Sequence, residues 1–274
     1  MKFATTIVSY LKFLWHSTNQ HGVHSPFVFN LVTKCFYDRK NYPEYKQLLA
    51  YRKSLLANHN TIEVTDFGAG SRVFNSNTRA ISKIAKTAGI SAKRAELLFR
   101  ITSYFQPTTI LEIGTSLGMA TSALALGNPK AKITTLEGCP NTLATAKKIA
   151  ENSIPKLRDQ IPNSNVEFVN TEFESYFKTL KPETLNLKPE TFDLVYFDGN
   201  HTQEATLRYV DLLLPTVTND TVWIFDDIHW STDMEAAWEN IKNHPKVTVT
   251  IDTFQWGLVF FRTEQEKEHF TIRC

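Results

Sequence analysis

The chain has 274 residues, 42% hydrophobic and 21% charged, which are ordinary globular values and enough chain for one large domain or a domain with a substantial appendage. Its 30 basic and 28 acidic residues leave a formal charge of +2 with no long basic face, which argues against a nucleic-acid partner. Cys35, Cys139 and Cys274 are odd in number and far apart, so they suit neither a zinc site nor a disulfide scaffold and read as reduced thiols of a cytoplasmic protein.

In chain order, "MKFATTIVSYLKFLWHS" places Phe3, Ile7, Leu11 and Leu14 at helical spacing. It is interrupted by Ser9 and Lys12 and too short to span a bilayer, so it predicts an amphipathic helix docked on the rest of the protein. Trp15 and the flanking lysines keep a membrane-surface helix as the alternative. Tyr10, Trp15, Phe27 and Phe29 are expected to pack this region, and residues 1–105 form an N-terminal helical cap. Its last helix, residues 93–105, sets Leu97, Leu98, Ile101 and Phe105 along one face.

From residue 108 the pattern changes to short β-branched runs alternating with helical segments, the grammar of βαβ units and a parallel sheet. The expected strands are "TILEIG", "KITTLEG", "VEFVN", "FDLVYFDG" and "TVWIFDD", with helices near 118–127, 140–152, 203–214 and 232–243. Pro140 fits a first helical turn, and Thr232 with Glu235 has capping-box spacing. "KVTVTID" and "WGLVFFR" are separated by a turn alone and predict an antiparallel hairpin closing the sheet edge. The fold class is therefore α/β, with residues 106–274 as the main domain.

Two glycine stretches compete as a cofactor loop. A strand before, a helix after and an acid at the end of the next strand are required. "TDFGAGSR" lacks the second strand, so Gly68 and Gly70 read as turn glycines, with a lesser role in covering a ligand left open. "TILEIGTSLGMAT" meets all three conditions: Gly114 and Gly118 lie between strand and helix, and the next strand ends in Glu137. The pattern "EIGTSLG" is not the G-x-G-x-x-G of a dinucleotide site.

These residues resemble the class I methyltransferases that use S-adenosylmethionine, over roughly residues 106–262. The resemblance implies a Rossmann-like, mostly parallel seven-stranded sheet ending in an antiparallel hairpin. It implies a cofactor site in which Glu112, Gly114, Thr115, Ser116 and Gly118 surround the methionine end. Glu137 and Gly138 would lie at the ribose, and Thr171 and Glu172 at the adenine.

Two further strand ends carry acids: Asp198 in "VYFDGNH", and Asp226 with Asp227 in "WIFDDIHW". Strand ends are where open α/β sheets bind ligands. Two carboxylates about 4 Å apart repel by roughly 4 kcal/mol at an effective dielectric near 20, so such a cluster calls for a cation or a raised pKa. Oxygen ligands of this kind suit Mg²⁺, or else Mn²⁺ or Ca²⁺. The competing reading has Asp227 capping the next turn and Asp198 holding its own loop.

His201, three residues past Asp198, belongs to a type of side chain that accepts a hydroxyl proton near neutral pH. The set Asp198, His201, Asp226 and Asp227 resembles that of metal-dependent O-methyltransferases of the catechol, caffeoyl-CoA and macrolide-sugar types. Here the second member of the pair is Asp rather than the Asn of the catechol type. The resemblance implies methylation of a small-molecule hydroxyl, Asp198 and His201 as catalytic groups, and Asp198, Asp226 and Asp227 as metal ligands, with Asp198 also near the cofactor. His229 and Trp230 are candidate pocket residues, and His21 and His24 are read as structural. "HGVHSPFVF" and "DFGAGS" also resemble bacterial methyltransferases, a resemblance that supplies no substrate. A homodimer through the N-terminal helices is a further expectation. A metal-free methyltransferase, a silent S-adenosylmethionine-binding module and a dehydrogenase are the rival readings.

Overall fold

The computed structural model describes residues 2–65, 76–153, 165–180 and 190–274, so Gly68 and Gly70 lie outside the described residues. Ten helices α1–α10 are labelled in chain order: Lys2–His16, Pro26–Leu31, Pro43–Ala57, Ile81–Thr87, Ala92–Phe105, Met119–Gly127, Pro140–Ser153, Phe173–Thr179, Gln203–Leu213 and Thr232–Asn243. Ten strands β1–β10 span Thr61–Glu63, Thr78–Ala80, Thr109–Ile113, Lys132–Glu137, Val166–Asn170, Leu194–Phe197, Val222–Asp226, Val249–Asp252, Trp256–Phe260 and Glu268–Thr271. Two compact units partition the chain, one of residues 38–173 and the other of residues 1–37 with 174–274.

In the unit of residues 38–173, β3, β4 and β5 run parallel, with Glu112 beside Thr135 and Glu137 beside Asn170. Buried apolar residues recur along β3 and β4, as sheets covered on both faces require. Ser91 starts α5 by accepting the Arg94 N–H, and α5 buries Ala95, Leu98, Phe99, Ile101 and Thr102. The expected apolar face is thus rotated: Leu97 and Phe105 are only half-buried, because Phe99 packs edge-on against Tyr42 and Tyr45. The short antiparallel ribbon β1–β2 interrupts a region read as helical.

In the other unit the strand order is β10-β8-β9-β7-β6. β6 and β7 are parallel, and β8–β9 is the expected antiparallel hairpin, with β9 also antiparallel to β7. The hairpin does not close the sheet, however, because β10 adds parallel to β8 as an unforeseen strand. β10 also ties down the N-terminal segment, through Thr18 N–H to Thr271 O (2.8 Å) and Arg273 N–H to Thr18 O (3.2 Å). The helix after β7 is capped by Ser231, which accepts the Met234 N–H at 3.2 Å, so Thr232 is its first residue and not its cap.

The docked face of α1 also differs from expectation. Phe13 and Tyr10 set its rotation by packing on Phe254, with ring centroids 5.4 and 4.8 Å apart. Ser9 and Phe13 are buried, which turns Ile7, Leu11 and Trp15 to solvent. Phe27 packs edge-on against Phe260 under the Arg262 guanidinium, whereas Phe29, like Trp15, is exposed.

Gly257 on β9 permits the closest approach in this unit: a Cβ there would lie 2.5 Å from the Trp238 ring of α10. Since Trp238 is fully buried and has nowhere to retreat, Gly257→Ala is expected to destabilise the protein by about 1–3 kcal/mol in urea melts. An unchanged midpoint would show that the indole can shift.

Candidate active site

The unit of residues 38–173 presents the glycine loop between β3 and α6. Gly114 and Gly118 take φ of 102° and 75°, and Ser116 takes 48°, so the chain takes positive φ three times in five residues. At Gly118 the constraint is also steric: an added Cβ would meet the Tyr51 hydroxyl at 2.9 Å. That hydroxyl donates to Leu117 O at 2.8 Å from a fully buried ring, and burial pushes its pKa well above the usual tyrosine range. Tyr51 therefore supports the loop as a neutral donor, a role its helical context in the sequence did not signal.

The loop's backbone is tied to β4. Gly114 N–H and Thr115 N–H both donate to Leu136 O at 3.0 Å, and Gly118 N–H donates to Thr115 O. Ser116 N–H donates to Glu137 Oε2 at 2.9 Å, while Glu137 Oε1 accepts the Cys139 N–H at 3.0 Å. A pyrophosphate loop instead aims its N–H groups at the ligand. With four of its N–H groups engaged inside the protein, this loop suits a cofactor without a diphosphate.

Glu112 is fully buried and accepts the Thr121 hydroxyl at 2.6 Å, which locks the first turn of α6 to β3. Thr115 and Thr135 share a 2.6 Å hydroxyl bond. Asn170, absent from the sequence-based set, donates its amide to both Glu137 O and Gly138 O. Thr171 N–H donates to Glu137 O, and the Thr171 hydroxyl to Glu172 O. The expected ribose and adenine residues thus stand at the adjoining ends of β4 and β5. Cys139 adds a link to the ribbon: the Thr65 N–H points at its sulfur at 3.3 Å.

The other unit carries the strand-end acids. β6 and β7 align Phe197 with Phe225, which places Asp198 and Asp226 at the ends of neighbouring parallel strands. His201 Nε2 faces Asp198 Oδ1 at 3.6 Å, an electrostatic pairing longer than a hydrogen bond, and its ring lies 5.9 Å from that of Trp230. Asp226 is buried and accepts the Trp256 indole N–H at 2.8 Å. Asp227 takes φ of 52° and accepts the Trp230 N–H through its carbonyl, which closes the following turn. Among the described residues no group of three His, Cys, Asp or Glu side chains that could hold a metal ion is formed, so the expected ligand role of Asp198, Asp226 and Asp227 gains no support from it.

His229 is drawn away from any ligand. Its Nε2 bonds Asp252 Oδ2 at 2.8 Å and its Nδ1 bonds Glu235 Oε1 at 3.1 Å, while its ring stacks on Phe254 at 5.1 Å. Carboxylates only accept, so the doubly protonated ring is the form that makes both bonds at once. Burial, the largest influence, favours the neutral ring, but the bonds and charges of Asp252 and Glu235 outweigh it and hold the pKa above the ordinary 6.5.

Residues 111–228 match a family described as a methyltransferase domain. The fold is similar to that of the methyltransferase PaMTH1 of Podospora anserina, solved with S-adenosylhomocysteine (SAH) bound (TM-score 0.59, 15% identity, 88% of this chain and 97% of that one). It is also similar to TomG of Streptomyces achromogenes, an O-methyltransferase of tomaymycin synthesis solved with S-adenosylmethionine (0.53, 15%, 84% and 95%). A third likeness is to an O-methyltransferase of Bacillus cereus in complex with SAH (0.51, 17%, 83% and 94%). No curated protein matches the sequence. The matched stretch is thus similar to a methyltransferase domain, and the fold is that of solved S-adenosylmethionine-using methyltransferases.

Two outcomes are expected. Tyr51→Phe removes the donor under Leu117 and weakens SAH binding by roughly 3- to 10-fold in calorimetry while leaving the fold intact. His229 has a raised folded pKa, so its stabilisation is complete below pH 6.5 and is lost as pH rises through the folded value. Melting temperature should accordingly fall on the alkaline side of pH 6.5, and His229→Gln should flatten that fall.

Proposed function

We propose that this methyltransferase acts on a hydroxyl of a small molecule, with His201 as the base and Asp198 as the group that holds its imidazolium. The observation that carries this reading is the His201–Asp198 pair at 3.6 Å, directly after β6, beside the ring of Trp230. Bound S-adenosylmethionine supplies a methyl group made electrophilic by its sulfonium. Its ribose is read onto Glu137, and its adenine onto the segment of Thr171 and Glu172. The β3–α6 loop residues Gly114, Thr115, Ser116 and Gly118 would take the methionine end, with Glu112 securing the loop from below.

Once bound, the cofactor would deliver this methyl to the acceptor oxygen and keep the electron pair of the broken carbon–sulfur bond on sulfur. The hydroxyl proton passes to His201, whose positive charge is then stabilised by Asp198. Trp230 offers a flat apolar wall against which an acceptor ring can stack. Asp226 gives one carboxylate oxygen to the Trp256 indole, and no three-ligand group forms among the described residues, so the step is written on His201 and Asp198 alone.

Turnover on a panel of hydroxylated acceptors tests the reading. His201→Gln should lower kcat by roughly 10²- to 10⁴-fold with little change in SAH affinity. Chelation should leave wild-type turnover unchanged. Full activity in His201→Gln would remove the base, and activity lost to chelator and restored by Mg²⁺ would return the three acids to metal binding.

A further inference from the structure

Helix α1 is apolar on the wrong side for a helix that only docks on its own protein. Ser9 and Phe13 face inward, and the arc that carries Ile7, Val8, Leu11 and Trp15, spaced on one face by the helical repeat, points to solvent. Trp15 is 86% exposed and Leu11 59% exposed. Of the seven large hydrophobic side chains exposed among the described residues, five lie on this helix. The arc is held outward by the Phe13 and Tyr10 contacts with Phe254, and by the backbone bonds of Thr18 to β10. Rotation that would hide it would break both.

Charge selects the occupant. The chain contains 28 acidic residues, yet none precedes Asp38, while Lys2, Lys12 and Lys34 all fall before it. Lys12 and His16 are exposed beside the apolar arc on α1 itself. A helix with an outward apolar stripe containing Trp, a cationic flank and no carboxylate has the composition that lies in the interface of an anionic bilayer. Tryptophan in particular suits the headgroup level, where its ring is buried and its N–H stays wet. A second copy of the chain would bring the same cations to face each other, without acids in this segment to offset them.

We propose that α1 is a membrane-surface helix that seats the protein flat on anionic phospholipid through Ile7, Val8, Leu11 and Trp15, with Lys12 and His16 at the phosphates. The protein would thereby meet acceptors that partition into, or are attached to, the lipid surface.

The test is co-sedimentation of the full chain with phosphatidylcholine vesicles, with and without phosphatidylglycerol. Wild type should bind the anionic vesicles, bind them less as salt rises, and show a blue-shifted tryptophan emission that Trp15→Ser abolishes. Lys12→Gln should weaken partitioning roughly 5-fold, and Leu11→Ser with Trp15→Ser by roughly tenfold or more. All these side chains are exposed, so melting temperature and SAH affinity should stay at wild-type values. Wild type that fails to bind anionic vesicles overturns the proposal, as does binding indifferent to these substitutions. A dimer that dissociates in the double variant, without vesicle binding, would instead give the face to a second copy.

Discussion

The carboxylate of Glu137 is the constraint on which the glycine loop and the ends of β4 and β5 depend. One of its oxygens receives the Ser116 N–H of the β3–α6 loop and the other the Cys139 N–H of its own turn. A single side chain at the end of β4 therefore joins two loops that are otherwise separated by α6. Charge-assisted bonds of this kind are worth about 1.5–3 kcal/mol each. A carboxylate has about four acceptor positions, so the same group can clasp its own loop and accept ribose hydroxyls. Asn170 and Thr171 extend the arrangement to the end of β5 by bonding the carbonyl of Glu137. The binding end is thus built largely from strand termini, which move less than free loops.

In the other unit an ionic clamp does comparable work for architecture rather than for binding. His229 sits between Glu235 on α10 and Asp252 on β8, and its ring stacks on Phe254, which holds φ of 71°. A bulky residue in that region is strained and persists only when its surroundings over-determine it. The surroundings here are the imidazolium on one side and the rings of Tyr10 and Phe13 on the other. The same contacts that fix Phe254 fix which side of α1 meets solvent. A histidine that resembles a pocket residue in sequence is consequently a structural cation, and the exposed arc of α1 follows from where it stacks.

Much of the fold was legible in the sequence because strands buried on both faces leave unbroken apolar runs, and their helices begin at residues such as Pro140. The region before residue 106 was harder. The ribbon β1–β2 has three residues per strand, too few to show a period, and β10, "EHFT", is polar at three of its four positions. The rotation of α1 was hidden because both of its faces carry apolar residues, and only the position of Phe254 separates them. In the β3–α6 loop, the positions of Glu137 and the glycines between strand and helix were readable from spacing. Tyr51 and Asn170 were not, since each acts by bonding a backbone carbonyl that no pattern marks. The acids at the ends of β6 and β7 were located correctly along the chain, but spacing cannot reveal that Asp226 is already held by Trp256.

The central claim is that the loop clasped by Glu137 binds a sulfonium cofactor rather than a dinucleotide, and it is tested most directly by calorimetric titration of SAH and of NADH into wild type and Glu137→Gln. The account predicts one SAH site in wild type, weakened by roughly 10- to 100-fold in the variant, with no heat from NADH. SAH affinity indifferent to Glu137, or saturable NADH binding, would contradict it.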